Sequence, residues 1–198
     1  MYVWDGSNLA YESETDTYYL YGTSLFAAQD GTDERYYLFN GHGDVVGLAG
    51  STGTVTKNYD YDAYGNEKDI DETDQNPLRY CGEYYDSETG TYYLRARYYN
   101  PVIGRFTSED THWNPSNMIY GDEPIKIGES KDPLGIKHYT YKPNYSSIRQ
   151  SYNLYPYCLN NPLFFIDISG EFGSPLSWAL AVIAGMTGVY LGIYLANK

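Results

Sequence analysis

The sequence predicts a mainly β chain, an antiparallel, twisted β-hairpin array followed by a C-terminal hydrophobic α-helix. Three observations carry this prediction. Tyrosine dominates the aromatic content, with 26 Tyr against 6 Phe and 3 Trp. It suits a half-buried pleated face, where the ring packs on cross-strand neighbours and the hydroxyl reaches water or backbone. Turn signals built on Gly, Asn, Asp and Pro interrupt short Tyr-rich runs roughly every 8 to 15 residues, the rhythm of a meander rather than of βαβ units. Finally, one decapeptide occurs twice: Tyr11-Glu-Ser-Glu-Thr-Asp-Thr-Tyr-Tyr-Leu20 and Tyr85-Asp-Ser-Glu-Thr-Gly-Thr-Tyr-Tyr-Leu94 differ only at their second and sixth positions. One hairpin is therefore used twice.

The elements follow in order. In the first decapeptide a polar turn joins two Tyr-bearing strands. Tyr36 to Phe39 turns at Asn40-Gly41-His42-Gly43 into a strand from Asp44 to Ala49, and Gly50-Ser51-Thr52-Gly53 leads into Thr54 to Tyr61. Tyr64-Gly65-Asn66 closes this unit, with Gly65 available for positive φ. The second decapeptide lies in a unit from Tyr80 to Asp86, through Ser87-Glu88-Thr89-Gly90, and along one strand from Thr91 to Tyr99. On that strand Arg95 and Arg97 share a face and pair with the acidic excess. A lone hairpin is marginally stable, so the array is expected to belong to a longer one with edges covered by other copies or by upstream chain. Residues 111 to 160 read as a looser region with short helices, one of them at Tyr145-Ser-Ser-Ile-Arg-Gln150.

Leu176 to Ala196 breaks the β pattern. It is uncharged and long enough to cross a hydrocarbon layer as a helix, with Ser174-Pro175 to start it and Asn197-Lys198 to end it. Gly188 and Gly192 form a GxxxG pair. A membrane-spanning or membrane-inserting tail is expected there.

A net charge of −13 sets up a field that repels phosphate backbones, so nucleic acid is not an expected partner. Cys81 and Cys158 lie in no CxxC or Cys/His spacing, which leaves one long-range disulfide or two buried thiols. His42, His112 and His138 stand in unrelated contexts, and neither a metal site nor a cofactor is expected. Gly41-His-Gly43 lacks the strand-to-helix setting of a phosphate loop and reads as a turn. Met1-Tyr-Val-Trp-Asp lacks a basic region followed by an apolar run, so any export address is expected elsewhere or upstream.

Several segments then carry a family resemblance. Tyr59-Asp-Tyr-Asp-Ala-Tyr-Gly-Asn66 resembles a YD repeat. The stretch from Leu78-Arg-Tyr-Cys-Gly-Glu-Tyr-Tyr-Asp through Arg97-Tyr-Tyr-Asn-Pro-Val-Ile-Gly-Arg-Phe-Thr-Ser-Glu-Asp110 resembles the Rhs (rearrangement hotspot) repeat-associated core. Asn153-Leu-Tyr-Pro-Tyr-Cys-Leu-Asn-Asn-Pro162 followed by Asp167-Ile-Ser-Gly170 resembles that core's end. The resemblance covers residues 1–171, with 1–78 as YD-type strands and 79–171 as the core, interrupted by an insertion at 111–152. Residues 172–198 would begin a variable C-terminal region.

The resemblance implies a C-terminal fragment of a secreted or cell-surface, bacterial polymorphic-toxin-like protein. Its strands wind into a hollow β-shell, and the core seals that shell at the boundary with a variable, often toxic, cargo. The implied partners are the upstream shell and the cargo of the same polypeptide; the uncharged run from Leu176 to Ala196 adds a membrane as an expected partner. Containment, not metabolic catalysis, is the implied role. The chemistry implied for some members is self-cleavage: paired aspartates cut the chain just after an Asp-Pro-x-Gly-Leu element, one carboxyl acting as acid and the other as base. Arg105, Asp110 and Asp167 fall on the matching positions. Thr111, Ile168 and Glu171 depart from the pattern, and Asp132-Pro-Leu-Gly-Ile136 preserves the element inside the insertion. Two alternatives stay open. Asp110, Asp132 and Asp167 also fit loop-capping roles, and the Tyr-rich strands also fit a cell-surface carbohydrate-binding or adhesion module.

Overall fold

The computed structural model describes residues 1–22, 24–171 and 174–175. Seven strands run up and down in chain order in one antiparallel sheet: β1 (Tyr2–Asp5), β2 (Asn8–Glu12), β3 (Thr17–Tyr21), β4 (Leu25–Asp30), β5 (Asp33–Phe39), β6 (Val45–Gly50) and β7 (Val55–Asn58). Tyr19 lies opposite Ala28, and Tyr37 opposite Leu48. With Leu9, Leu25, Val45, Tyr59 and Leu78 they form one core. Their sequence neighbours Tyr18 and Tyr36 point to the other face and are exposed. This is the period-2 division that a one-sided antiparallel sheet demands.

A second antiparallel sheet holds β8 (Tyr84–Asp86), β9 (Thr91–Leu94), β10 (Arg97–Asn100) and β11 (Arg105–Phe106) in sequential order. Its core is largely aromatic: Tyr80, Tyr92, Tyr99, Phe106 and Tyr157 pack with Leu94 and Cys158, and the Tyr99 and Tyr157 rings stack at 4.1 Å. Tyr61 packs against both cores and joins the sheets.

The repeated decapeptide folds the same way twice. Tyr11 pairs with Tyr18 and Glu12 with Thr17; Tyr85 pairs with Tyr92 and Asp86 with Thr91. In each copy the acidic residue at the second position accepts from the fifth-position threonine, at 3.2 Å from Thr15 and 2.9 Å from Thr89. The substituted sixth position is left-handed in both, with φ 52° at Asp16 and 67° at Gly90. Asp and Gly are among the residues that enter this region most readily, which explains why the difference is tolerated.

The expected continuous strand from Thr91 to Tyr99 is instead two strands. Leu94 pairs directly with Arg97, and Arg95-Ala96 forms the turn between them, with Arg95 at φ 59°. Arg95 and Arg97 therefore do not share a strand face. Tertiary contacts hold this turn: Arg95 lies 2.8 Å from Glu83 and donates to the Ile168 carbonyl, while Ala96 N donates to Ser169 O at 3.2 Å. Local pattern carries no trace of partners 73 residues away.

The insertion is more ordered than expected. A two-stranded ribbon, β12 (Ile125–Lys131) and β13 (Lys137–Lys142), is followed by helix α1 (Tyr145–Ser151) at the expected place. Asn144 caps that helix by accepting from Ser147 N at 3.2 Å. The ribbon is exposed on both faces. A short strand β14 (Phe165–Ile166) pairs with β15 (Ser174–Pro175), so Ser174-Pro175 is strand rather than a helix start. The expected apolar helix from Leu176 to Ala196 lies outside the described residues. Among the described residues no helix is long and apolar enough to cross a membrane.

Candidate functional site

The end of the core is organised around one buried cation. Arg97 and Tyr99, two apart on β10, share its inward side; Tyr99 is fully buried, and Arg97 is 6 % exposed. A guanidinium there needs partners on every edge. Nη2 lies 3.1 Å from Asp110 Oδ2 and 3.7 Å from Asp167 Oδ2. Nη1 donates to Leu154 O at 2.9 Å, and Nε donates to the Gly170 carbonyl. Its flat face lies over the Phe106 ring, 3.6 Å from the centroid.

Both carboxylates are fixed by their own backbone. Asp110 Oδ1 accepts from His112 N at 2.9 Å, and Asp110 N donates to Leu154 O at 3.1 Å. Asp167 Oδ1 accepts from Gly170 N at 2.8 Å and from the Ser169 hydroxyl at 3.3 Å. Gly170 adopts φ +74°, and a Cβ there would overlap the Leu94 carbonyl oxygen, so only glycine fits. A small cleft beside the cluster is lined by Arg97, Asp110, Trp113, Leu154, Asp167 and Glu171.

Burial raises the Asp110 carboxyl above its usual range, with Glu171 adding to the effect and the His112 N–H and Arg97 opposing it. Burial also lowers Arg97, although Asp110 and Asp167 stabilise its charge. Nearby, Glu83 is pushed up to about 7, chiefly by burial and partly by Asp167, against the pull of Arg95. Two carboxylates on one guanidinium leave an excess negative charge in a dry setting, which favours a proton on one of them. That is the raw material of acid–base chemistry, and equally of a buried clamp.

A profile of the Teneurin YD-shell family matches residues 10–146. The chain belongs to that family. It is an Rhs/YD-repeat chain, mainly β, as its repeats and core segments indicate. It is 33 % identical over 208 residues to the tRNA(Glu)-specific nuclease WapA of Bacillus subtilis subsp. natto, covering 100 % of this chain and 7 % of that protein. It is 53 % identical over 65 residues to toxin protein Tse5 of Pseudomonas aeruginosa, covering 30 % of this chain and 5 % of that one. Among solved structures, a TcdB2-TccC3 complex aligns with 26 % identity and a TM-score of 0.47, over 72 % of this chain and 5 % of that chain. The chain thus spans only 6 % to 7 % of the length of its WapA relatives.

In this YD-shell chain the structure brings Asp110 and Asp167 together, but not Arg105. Arg105 is exposed on β11 opposite Asn100, and Arg97 occupies the place between the aspartates. A signal for Arg97 did exist: it shares the parity of Tyr99 on an inward strand face, where an arginine demands buried acids. Asp132-Pro-Leu-Gly-Ile136 forms the tip of the ribbon, where Asp132 Oδ1 accepts from Leu134 N and Ile136 N at 2.9 and 2.8 Å. It is a capped turn with Leu134 85 % exposed.

The histidines do not converge: His112 meets Asp122 at 3.2 Å and His138 meets Asp132 at 3.5 Å. His42 lies beside Asp44 and Cys81, a grouping that spacing alone did not show. Cys81 and Cys158 are free thiols.

Proposed function

We propose that this chain is a non-enzymatic, structural portion of a secreted toxin-related polypeptide, forming the C-terminal part of a β-shell that carries a variable cargo beyond it. The observation that carries this reading is how the end of the core is tied back to the wall. Three successive carbonyls, of Ile168, Ser169 and Gly170, are taken by Arg95, by the Ala96 N–H and by Arg97. A segment bonded at every peptide cannot swing freely, so it anchors whatever follows. The relatives named as a tRNA nuclease and as a toxin support a toxic cargo. Because this chain is strongly acidic, nuclease activity in such a polypeptide would belong to the cargo rather than to the wall.

Protease protection of the natural full-length polypeptide tests the reading. The cargo is expected to resist digestion in the intact protein and to become cleavable in Arg97→Met. Digestion at the rate of the isolated cargo would refute containment.

A second reading, self-cleavage, is supported by the pairing of Asp110 with Asp167 around Arg97 beside the Gly170 carbonyl. It requires a break between residues 169 and 172 in the intact mass of the full-length protein, lost in both Asp110→Asn and Asp167→Asn. A single uncut mass leaves the cluster as a clamp.

A further inference from the structure

The turn between β5 and β6 meets the segment before β8 at a cluster that the anchoring role does not use. His42 Nδ1 lies 2.8 Å from Asp44 Oδ1 and 3.7 Å from Cys81 Sγ, and the three donor atoms lie within 4.8 Å of one another. Nitrogen, oxygen and sulfur donors thus converge from positions 37 and 39 residues apart in sequence. We propose that His42, Asp44 and Cys81 form a three-ligand site for a borderline-soft divalent cation of the zinc class, with a fourth ligand taken from solvent.

Three features of the surroundings favour it. The first is the hydrogen bonding of His42. Its Nε2 lies 2.9 Å from the carbonyl oxygen of Pro162, which can only accept, so Nε2 keeps its hydrogen and a metal would take Nδ1 in place of the proton that now bridges to Asp44. A ligating histidine whose second nitrogen donates to a backbone carbonyl is the usual outer-shell arrangement around a protein-bound metal. The second is the support of Asp44, whose Oδ2 accepts from Asn40 Nδ2 at 2.8 Å and whose Oδ1 accepts from Cys81 N at 3.0 Å. These bonds fix the orientation of the carboxylate. The third is Cys81 itself, held at φ 53°. A non-glycine residue rarely adopts that region, and here the conformation turns the thiol toward His42.

Tetrahedral zinc with bonds of about 2.0 to 2.3 Å places donors roughly 3.2 to 3.7 Å apart. The sulfur–nitrogen distance is already in that range, and the nitrogen–oxygen distance has to open by about half an ångström. Binding releases two protons per ion, one from His42 Nδ1, where it now bridges to Asp44, and one from the Cys81 thiol. Mixed donors of this kind suit zinc or cobalt better than calcium or magnesium, which take oxygen.

Cobalt(II) is the probe. Titration of the metal-free full chain is expected to give a thiolate-to-metal charge-transfer band in the near ultraviolet, saturating at one equivalent and displaced by zinc. Cys158→Ser should keep the band and Cys81→Ser should remove it, while His42→Gln should weaken binding at least tenfold. X-ray absorption of the zinc-loaded wild-type chain, which depends on no variant folding, should show one sulfur scatterer at about 2.3 Å. Absence of the sulfur band in the wild type, a band that survives Cys81→Ser, or a zinc shell of nitrogen and oxygen alone would each overturn the proposal.

Discussion

Replacing Arg97 by methionine isolates what its charge does. Methionine keeps much of the volume and still packs on Phe106, with which the guanidinium now makes face-on contact. What disappears is the cation that serves Asp110, Asp167 and the carbonyls of Leu154 and Gly170. Removing one partner of a buried ion pair costs about 3–5 kcal/mol, because the charge left behind is uncompensated. For a chain of this size that corresponds to a fall of roughly 10 °C in Tm.

The sign of the pH dependence follows from the same cause. Without Arg97 the Asp110 carboxyl, already raised by burial, loses an opposing positive charge and rises further, so the folded state prefers it protonated. That preference stabilises below the unfolded carboxylate pKa and is lost as pH rises. The deficit of Arg97→Met is therefore largest at neutral pH and narrows toward pH 4 to 5. Urea denaturation of wild type and variant at pH 5 and pH 8 measures it, and adding Asp110→Asn and Asp167→Asn should recover at least half of the loss. A loss below about 1 kcal/mol, or an equal deficit at both pH values, would refute the reasoning.

Glu83 gives an independent pH signature. Its folded value of about 7 stands above an ordinary 4.5, so its stabilising contribution is full below pH 4.5 and is lost as pH rises through 7; the span corresponds to about 3 kcal/mol. Glu83→Gln should flatten the stability–pH curve between pH 5 and 8, and parallel curves would contradict this. Gly65→Ala should destabilise by about 2–4 kcal/mol in thermal denaturation, combining positive φ with overpacking: Gly65 sits at φ +88°, and a Cβ would come within 2.6 Å of the Tyr80 ring. Replacing residues 125–142 by a short Gly-Ser linker should change stability by less than about 1 kcal/mol, since the ribbon is exposed on both faces. A larger loss in urea would show that the ribbon supports the core.

The β class, the repeated hairpin and the position of helix α1 were legible in the sequence alone, whereas the hairpin's register was read from the structure. All three rest on short-range signals: Tyr-rich runs broken by turn residues, a repeated decapeptide, and the local stretch Tyr145-Ser-Ser-Ile-Arg-Gln150. The ribbon's alternation, Ile125-Lys-Ile and Tyr139-Thr-Tyr141, was also present, but a strand pair exposed on both faces offers no buried side to confirm it. Asp110 and Asp167 were legible through family resemblance.

Tertiary structure alone decided which arginine joins them, because the choice depends on strand parity at Arg97 and on a turn at Arg95-Ala96 set by contacts with Glu83, Ile168 and Ser169. It alone brought His42 and Asp44 to Cys81, since donors 37 and 39 residues apart leave no spacing rule to read. Local pattern specifies elements through neighbours along the chain. Buried charges and mixed donor clusters are specified by neighbours in space, and only the packed sheets supply those.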